Sequence, residues 1–446
     1  MKILNFFRKP SFARGVHPLQ HKETAQTAIR RMPFAPRLVV PMSQHVGKPS
    51  KPIVCAGQEV LRGQVIAVAD GYLSVPAHAP VSGIVEAVDL RPTLSGEWLQ
   101  SIVIRAYEAS SQEVLYGEQI DVDLLSAEQI IQAVQDVGMV GLGGAAFPAH
   151  AKLAAPKDYP IEHLLVNGCE CEPFLTADHR MMLEWPQHLV TGIQFAMKAC
   201  GAKRALIGIE NNKPDAIAAI NNILPADSNI SVHAVKTKYP QGAAEMLVKA
   251  LLGREVPAGA RSYQIGVVMH NVGTLAELGR LIPRSQGFIE RVVTVAGPGV
   301  TKPGNYLVPI GTPLRFVLEQ AGVTNESVEV ILGGPMMGSA IASLDVPVTK
   351  AISGIVVFDR SAMEASQGNV HPCIKCGECV NACPKGLNPS MLGMLAARRE
   401  YDVMAETYHL DGCFECGCCS YVCPSHIPLV QHFRVAKQVV RERQAA

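Results

Sequence analysis

From Arg37 to about Glu108, apolar and polar positions alternate with a period near two, broken by turn residues, which predicts a β-rich module. The residues before it, 1–36, carry Pro10, Pro18, Pro33 and Pro36 and are expected to be irregular. From Ser126 the pattern changes. SAEQIIQAVQDVG has helical spacing and opens on a serine cap with a glutamate in its first turn. HLLVNGCECEP reads as an apolar strand, Leu164 to Val166, that ends in polar residues. RALIGIENNKPDAIAAINNIL reads as strand, Asn/Pro turn and helix, and IGVVMHNVGTLAELGRLI as strand, polar turn and helix. This alternation predicts an α/β layer with ligands at the carboxyl ends of its strands. Polar clusters fall at three such ends: Asn167–Glu172, Glu210–Lys213 and His270–Thr274. From Arg291 the chain reads as two short strands, a turn, a strand and a helix, and IPLVQHFRVAKQVVRERQ predicts a closing basic amphipathic helix.

Two phrases in the first module, GQEVLRGQVIA and APVSGIVEAV, resemble the halves of a biotinyl/lipoyl-type β-sandwich. The hairpin between them, DGYLSVPAH, has no lysine, so it cannot carry biotin or lipoate. A docking or covering role is expected, with His78 structural. The expected fold class is α/β multidomain: an N-terminal segment at 1–36, a β-sandwich at 37–110, an α/β domain at 120–288, a β-grasp unit at 289–350 and a cysteine-rich α-helical domain at 360–446.

Lysine and arginine total 40 against 39 acidic residues, so charge gives no reason to expect nucleic acid as a partner. Charged residues, at 18%, run below the globular average, which suggests a surface partly covered by partners. No uncharged apolar run reaches the roughly 20 residues that cross a bilayer. The start, MKILNFFRKPSFARGVHP, lacks the apolar core of a signal peptide, so an unsecreted, non-spanning protein is expected, with Asn5 to Arg14 either frayed or touching a membrane surface or a partner.

Residues 139–153, MVGLGGAAFPAHAKL, set three glycines beside one aromatic ring and one lysine. Glycines let backbone N–H groups approach an anion, so the stretch suggests a nucleotide or flavin phosphate; a tight, well-packed turn is the plain alternative. Neither the Walker pattern nor G-x-G-x-x-G occurs in it.

Of 13 cysteines, nine lie between Cys373 and Cys423. Cys373, Cys376, Cys379 and Cys383 form one run and Cys413, Cys416, Cys419 and Cys423 another, each C-x2-C-x2-C-x3-C-P. In that spacing three thiolates on a tight loop grip one cubane and the fourth reaches the other cluster. One [4Fe–4S] is therefore assigned to Cys373, Cys376, Cys379 and Cys423, the other to Cys413, Cys416, Cys419 and Cys383. Zinc is the alternative, but its sites pair C-x2-C knuckles across a longer gap. Cys418 is expected to be a packed neighbour, His371 a surface or flanking residue, and Cys55 and Cys200 buried structural thiols.

The order of sandwich, glycine loop, NGCECEP, KYPQG, HNVGTL, β-grasp unit and paired cysteine runs closely resembles the C subunits of the Rnf (Rsx) electron-transport complexes, over nearly the whole chain. GVHP, ENNKPDAI, TKYPQGA and CPSHIPLVQHF add to the match. The central region is similar, more distantly, to the flavin-binding, NADH-oxidising subunit of respiratory complex I. That resemblance implies an FMN and NADH pocket. Gly141, Gly143 and Gly144 would wrap the flavin phosphate and ribityl, Lys152 would balance the phosphate, and Phe147 would stack on the nicotinamide nucleotide. Asn167 and Glu170 would contact flavin and Glu172 NADH, with Tyr239, Gly242, Asn271 and Thr274 completing the cofactor-binding set. The chain departs from the complex I pattern at Ala146, Cys169, Ala243, Ala244 and Gly273. No side chain is expected to act as an acid or base. The resemblance implies a peripheral subunit on the cytoplasmic face of the inner membrane. It would pass electrons between NADH, FMN and two [4Fe–4S] clusters, with the membrane subunits and a ferredoxin-like protein as partners. A corrinoid reductase of microcompartments and a non-enzymatic electron-relay adapter are the alternatives.

Overall fold

The computed structural model describes residues 10–445 apart from 95, 226–227, 326, 362 and 364–367; Asn5 to Lys9, one end of the membrane-contact expectation, lie outside them. Short strands dominate the first module: β1 (Arg30–Arg31), β2 (Arg37–Pro41), β3 (Lys51–Pro52), β4 (Glu59–Val60), β5 (Val65–Val68), β6 (Ala77–His78), β7 (Gly83–Pro92) and β8 (Trp98–Ala106). Strands β2-β8-β7-β4 make one sheet and β3-β5-β6 a second. Their inward side chains, among them Leu38, Val40, Ile66, Val85, Ile102 and Ile104, share one core, as period-two alternation requires. Cys55 is exposed rather than buried, because it lies in the loop before β4, off the inward-facing register.

Next come α1 (Ala127–Asp136), α2 (Ala149–Leu153), β9 (His163–Gly168), α3 (Ala177–Glu184), α4 (Pro186–Cys200), β10 (Arg204–Glu210), α5 (Pro214–Asn221), β11 (Ile230–Val235), α6 (Ala244–Leu252), β12 (Val267–Asn271) and α7 (Val272–Leu281). Ser126 and Gln129 close a reciprocal capping box at the start of α1. The strands form one parallel sheet in the order β11-β10-β9-β12. Leu164, Leu165 and Val166 are buried, as expected for a parallel sheet covered on both faces. Gly192 of α4 and Gly279 of α7 let these helices touch backbone to backbone: a Cβ on Gly192 would stand 1.8 Å from the Leu275 carbonyl. In register, Asn167 pairs with Gly208 on one side and Asn271 on the other, so the polar clusters at 167–172, 210–213 and 270–274 share one sheet edge.

The third unit holds β13 (Glu290–Ala296), β14 (Gly304–Pro309), α8 (Leu314–Gln320), β15 (Val328–Leu332), β16 (Ser339–Ala340) and β17 (Gly354–Asp359). One continuous strand replaces the two short ones expected after Arg291, since RVVTVA contains no residue that breaks a ladder. Its sheet, β1-β14-β13-β17-β15-β16, recruits Arg30–Arg31 from the N-terminal segment. The cysteine-rich unit is helical, with helices at Glu378–Ala382, Pro389–Ala397, Tyr401–Glu406, Cys418–Tyr421 and Leu429–Ala445 around Leu392, Met404, Leu410, Leu429 and Phe433.

Candidate functional site

After α1 the chain must cross the polar edge of the parallel sheet, and it does so through Gly141–Phe147. Gly141 N–H donates to the Phe147 carbonyl (2.8 Å), Leu142 N–H to Thr274 Oγ1 (3.0 Å), and Arg291 Nη2 to the Leu142 carbonyl (2.9 Å). These bonds hold the loop from beneath. Ala146, where the complex I pattern has glycine, keeps a left-handed backbone (φ 51°), at a cost of about 1 kcal/mol. On the other side a Cβ at Gly144 would meet nothing within 4 Å. The open face is a wall of a cavity of about 720 Å³, a size that suits a nucleotide-class ligand.

Eleven of the twelve residues assigned to cofactor binding line this one cavity: Gly141, Gly143, Gly144, Phe147, Lys152, Asn167, Glu170, Glu172, Tyr239, Gly242 and Asn271. Thr274 lies behind it, as the acceptor that holds Leu142. Lys152, on α2, keeps an exposed surface although protein surrounds it, because the space around it is the cavity itself. Burial alone lowers its ammonium to about 8, with no carboxylate contributing to the shift. A cation so placed favours a bound anion.

The carboxylates are tied down. Glu170 is buried and accepts the Asp178 and His179 N–H groups at the start of α3, at 2.9 and 3.2 Å. Glu172 accepts the Met336 and Met337 N–H groups at 3.0 and 2.8 Å, and burial raises its carboxyl. Asn167 accepts from Cys169 N–H and donates to the Gly242 carbonyl, at 3.0 and 2.8 Å, fixing the two loops to each other. Asn271 caps α7 through Gly273 and Thr274 N–H and donates to Asp178 Oδ2 at 2.6 Å.

Asp178 lines the cavity with no signal in the sequence, where TADHR reads as an ordinary helix start. Glu245, Arg261, Met337 and Phe414 line it without a local signal as well. Burial, then the Glu170 charge, pushes the Asp178 carboxyl up to about 7. The folded chain thus binds more protons here than the unfolded one between pH ~4 and ~7, so this group's stability contribution falls as pH rises through that window. Asp178→Asn is expected to gain stability over the parent by on the order of 2 kcal/mol more at pH 8 than at pH 5 in urea unfolding. An equal difference at both pH values would contradict the assignment.

The cysteines sort into two groups in space. Cys373, Cys376, Cys379 and Cys423 border one cavity of about 210 Å³ together with Ile374, Met394 and Leu429. The Cys379 thiol is raised by burial and then by Cys376, Cys373 and Cys423 as neighbours. For Cys419 the causes are burial, then Cys416, Cys413 and Cys383. Both quartets take their fourth member from the other run. Among the described residues no three His, Cys, Asp or Glu side chains are grouped to hold a single metal ion. The first four thiols ring a cavity, an arrangement suited to a cluster. Gly377 and Gly417, with φ of 81° and 83°, turn each loop into the short helix that follows. Cys418 is buried and its thiol hydrogen-bonds Cys416, lowering the latter's pKa; His371 is exposed.

Comparison with known proteins bears on this arrangement. The chain is 39% identical over 404 residues to the C subunit of the proton-translocating ferredoxin:NAD+ oxidoreductase complex of Clostridium ljungdahlii, covering 90% of this chain and 87% of that one. It belongs to the family of these C subunits. The Na+-translocating counterpart of Acetobacterium woodii is 40% identical, with 88% of each chain covered. The C subunit of the ion-translocating oxidoreductase complex of Cronobacter sakazakii is 39% identical over 99% of this chain but only 57% of its own length. Family models match in chain order: the RnfC barrel sandwich hybrid domain at residues 10–109, the Nuo51 FMN-binding domain at 134–280, the SLBB domain at 292–340 and a 4Fe-4S dicluster domain at 372–427. An NAD+-reducing [NiFe]-hydrogenase structure shares the fold at a TM-score of 0.51, with 21% identity, 72% of this chain and 64% of that one covered. The chain is a multidomain α/β flavo-iron–sulfur subunit, with FMN and two [4Fe–4S] clusters as its cofactors. Among the described residues no helix is long and apolar enough to cross a membrane.

Within this family member the two kinds of site adjoin. Tyr239 lines the large cavity, and its hydroxyl donates to the Cys416 carbonyl at 2.6 Å. Phe414, between two cysteines of the same run, lines the cavity too. Glu245, two residues past the first alanine that stands for a complex I glutamate, pairs with Lys385 of the cysteine-rich unit.

Proposed function

We propose that the 720 Å³ cavity holds FMN, with Lys152 toward its phosphate and the Gly141–Gly144 backbone around its ribityl chain. Flavin, when bound, supplies hydride acceptance and one-electron release. The protein's part is to position: Arg291 and Thr274 set the loop, and Asn167 joins the strand end to Gly242. NADH enters from the Phe147 side, where the ring is 37% exposed. Glu172, assigned to NADH, is held in place at the cavity wall by one backbone amide on each oxygen, and each oxygen keeps a lone pair for the nucleotide.

The observation that carries the reading is the Tyr239–Cys416 hydrogen bond, because it makes the Cys413, Cys416, Cys419 and Cys383 quartet the nearer one to the cavity. The Cys373, Cys376, Cys379 and Cys423 quartet would hold the second cluster, which would supply the onward one-electron step. Cys373, Cys376 and Ile374 are exposed there, open to a partner. The partners are membrane subunits of the same ion-translocating complex, with a ferredoxin-like protein at the level of the whole complex. The chain sits peripherally on the cytoplasmic face, and the direction of flow reverses with conditions.

Rapid mixing of the anaerobic, fully loaded protein with NADH tests this. Flavin absorbance falls first and cluster absorbance follows. Clusters that dithionite reduces while NADH leaves every band unchanged would instead mark an electron-relay adapter. Faster oxidation by cobalamin than by a ferredoxin would favour a corrinoid reductase.

A further inference from the structure

The segment from Ser11 to Gln26 belongs to none of the cofactor loops, yet it touches both sites. Val16 and Tyr239 form a two-way backbone bridge, with N–H to carbonyl distances of 2.8 and 2.9 Å. One residue earlier, Gly15 N–H donates to the carbonyl of Ala382, the neighbour of cluster ligand Cys383, at 3.0 Å. Arg14 Nη1 donates to the Val380 and Cys383 carbonyls at 3.2 and 3.5 Å. Consecutive residues of one short stretch therefore bond the cluster unit and the flavin unit.

The segment is itself anchored on the flavin side. Lys22 Nζ donates to the carbonyls of Glu170, Glu172 and Leu175, residues that all border the cavity. His21 stacks on Phe174 at 4.7 Å, and Lys238 lies 4.3 Å over the Phe12 ring while donating to the Phe12 carbonyl at 3.2 Å. Val16 is buried in one apolar cluster with Tyr239, Ala382, Cys416 and Cys418. Gly15 has no substitute here. Its φ is +78°, and a Cβ would stand 2.5 Å from the Tyr239 carbonyl and 3.0 Å from the Phe12 ring.

We propose that this segment is a tie bar whose Arg14, Gly15 and Val16 set the separation between the flavin cavity and the Cys383-containing cluster, making Gly15 a positioning residue for electron transfer. This rests on the functional reading above. Two electrons arrive as hydride from NADH, which is oxidised to NAD+. With FMN bound as the hydride acceptor, they would leave the cavity singly, one to each cluster, as the flavin returned to its oxidised form and the hydride's proton passed to water. The variants address the second stage, because Arg14 and Gly15 bond the 380–383 carbonyls of the cluster unit.

The test uses the full chain, loaded and anaerobic, as the parent, Gly15→Val and Arg14→Ala. Flavin reduction by NADH is expected to keep its parental rate and iron content its parental value. Cluster reduction is expected to slow several-fold in both variants, because the separation between the flavin cavity and the Cys383-containing cluster is no longer fixed. Amide hydrogen exchange supplies a readout independent of activity: peptides covering Tyr239 and residues 380–386 lose protection in both variants. A parental cluster rate in variants that have lost that protection overturns the proposal, as does unchanged protection. If Gly15→Val does not load, Arg14→Ala decides alone, because it removes only two side-chain bonds. If NADH fails to reduce even the parent, the functional reading falls, and exchange still judges the tie bar by itself.

Discussion

Lys152→Met is expected to weaken FMN binding about 10- to 100-fold, the loss of a charge-assisted hydrogen bond to phosphate of roughly 1.5–3 kcal/mol. No ion pair is broken by the change, because burial is the whole cause of the lysine's shift. The same desolvation makes the cation a burden to the chain without ligand. Folded, it ionises near 8 against 10.5 in a free chain, so the unfolded state binds more protons between those values. Its unfavourable contribution is in full force below pH 8 and fades as pH rises toward 10.5. Because Lys152 keeps an exposed surface on the cavity wall, solvent screens most of this burden, so cofactor-free Lys152→Met is expected to differ little from the parent at pH 7, while the FMN-loaded variant is less stable. Flavin fluorescence titration reads the affinity. In the parent it falls from pH ~8, where the ligand-free ammonium begins to deprotonate, until the higher pKa that the bound phosphate gives it; in the variant it is flat over that range. Unchanged affinity in Lys152→Met would move the phosphate to another wall of the cavity.

The second large effect lies in the cysteines, where a change in one run is expected to destroy the cluster named for the other. Cys423→Ala removes the fourth thiol from the cavity of Cys373, Cys376 and Cys379, leaving about four irons of eight. Cys423→Ala combined with Cys376→Ala then loses no more iron than either alone. Combined with Cys416→Ala it loses all of it. If each run instead held its own cluster, those two pairings would exchange results. Iron and sulfide analysis on the double variants distinguishes the cases, and the non-additivity within one quartet is the decisive sign.

These assignments are legible in the sequence at different depths. The quartets can be read from spacing, because C-x2-C-x2-C fixes how far three thiols on one loop can spread. The glycine loop can be read from composition, and Phe147 and Lys152 fall on the cavity because helix α2 begins where AFPAHAKL has its proline. Glu170 and Glu172 are visible as polar residues at a strand end, but not their occupation. The partner of Glu172 is the Met336–Met337 backbone, 164 residues away, and no local pattern announces it. Asp178 is hidden for the same reason: its contact with Asn271 and its proximity to Glu170 arise only when α3 folds against the sheet edge. Gly15 has a local signal, the Arg-Gly-Val run before His17 and Pro18, but its reason is the Tyr239 carbonyl 224 positions on. Among the strands, the alternating sandwich is plain and the single long β13 is not, since a β-branched run carries no mark of where pairing begins.

The claim that joins these parts is that one chain holds a two-electron acceptor beside two one-electron carriers. Anaerobic reductive titration of the purified full-length chain, with iron, sulfide and flavin measured on the same sample, tests it most directly. The account predicts about eight irons, one FMN and four electron equivalents per chain, with NADH able to deliver them. Eight irons with two electron equivalents, no flavin and no response to NADH would contradict it.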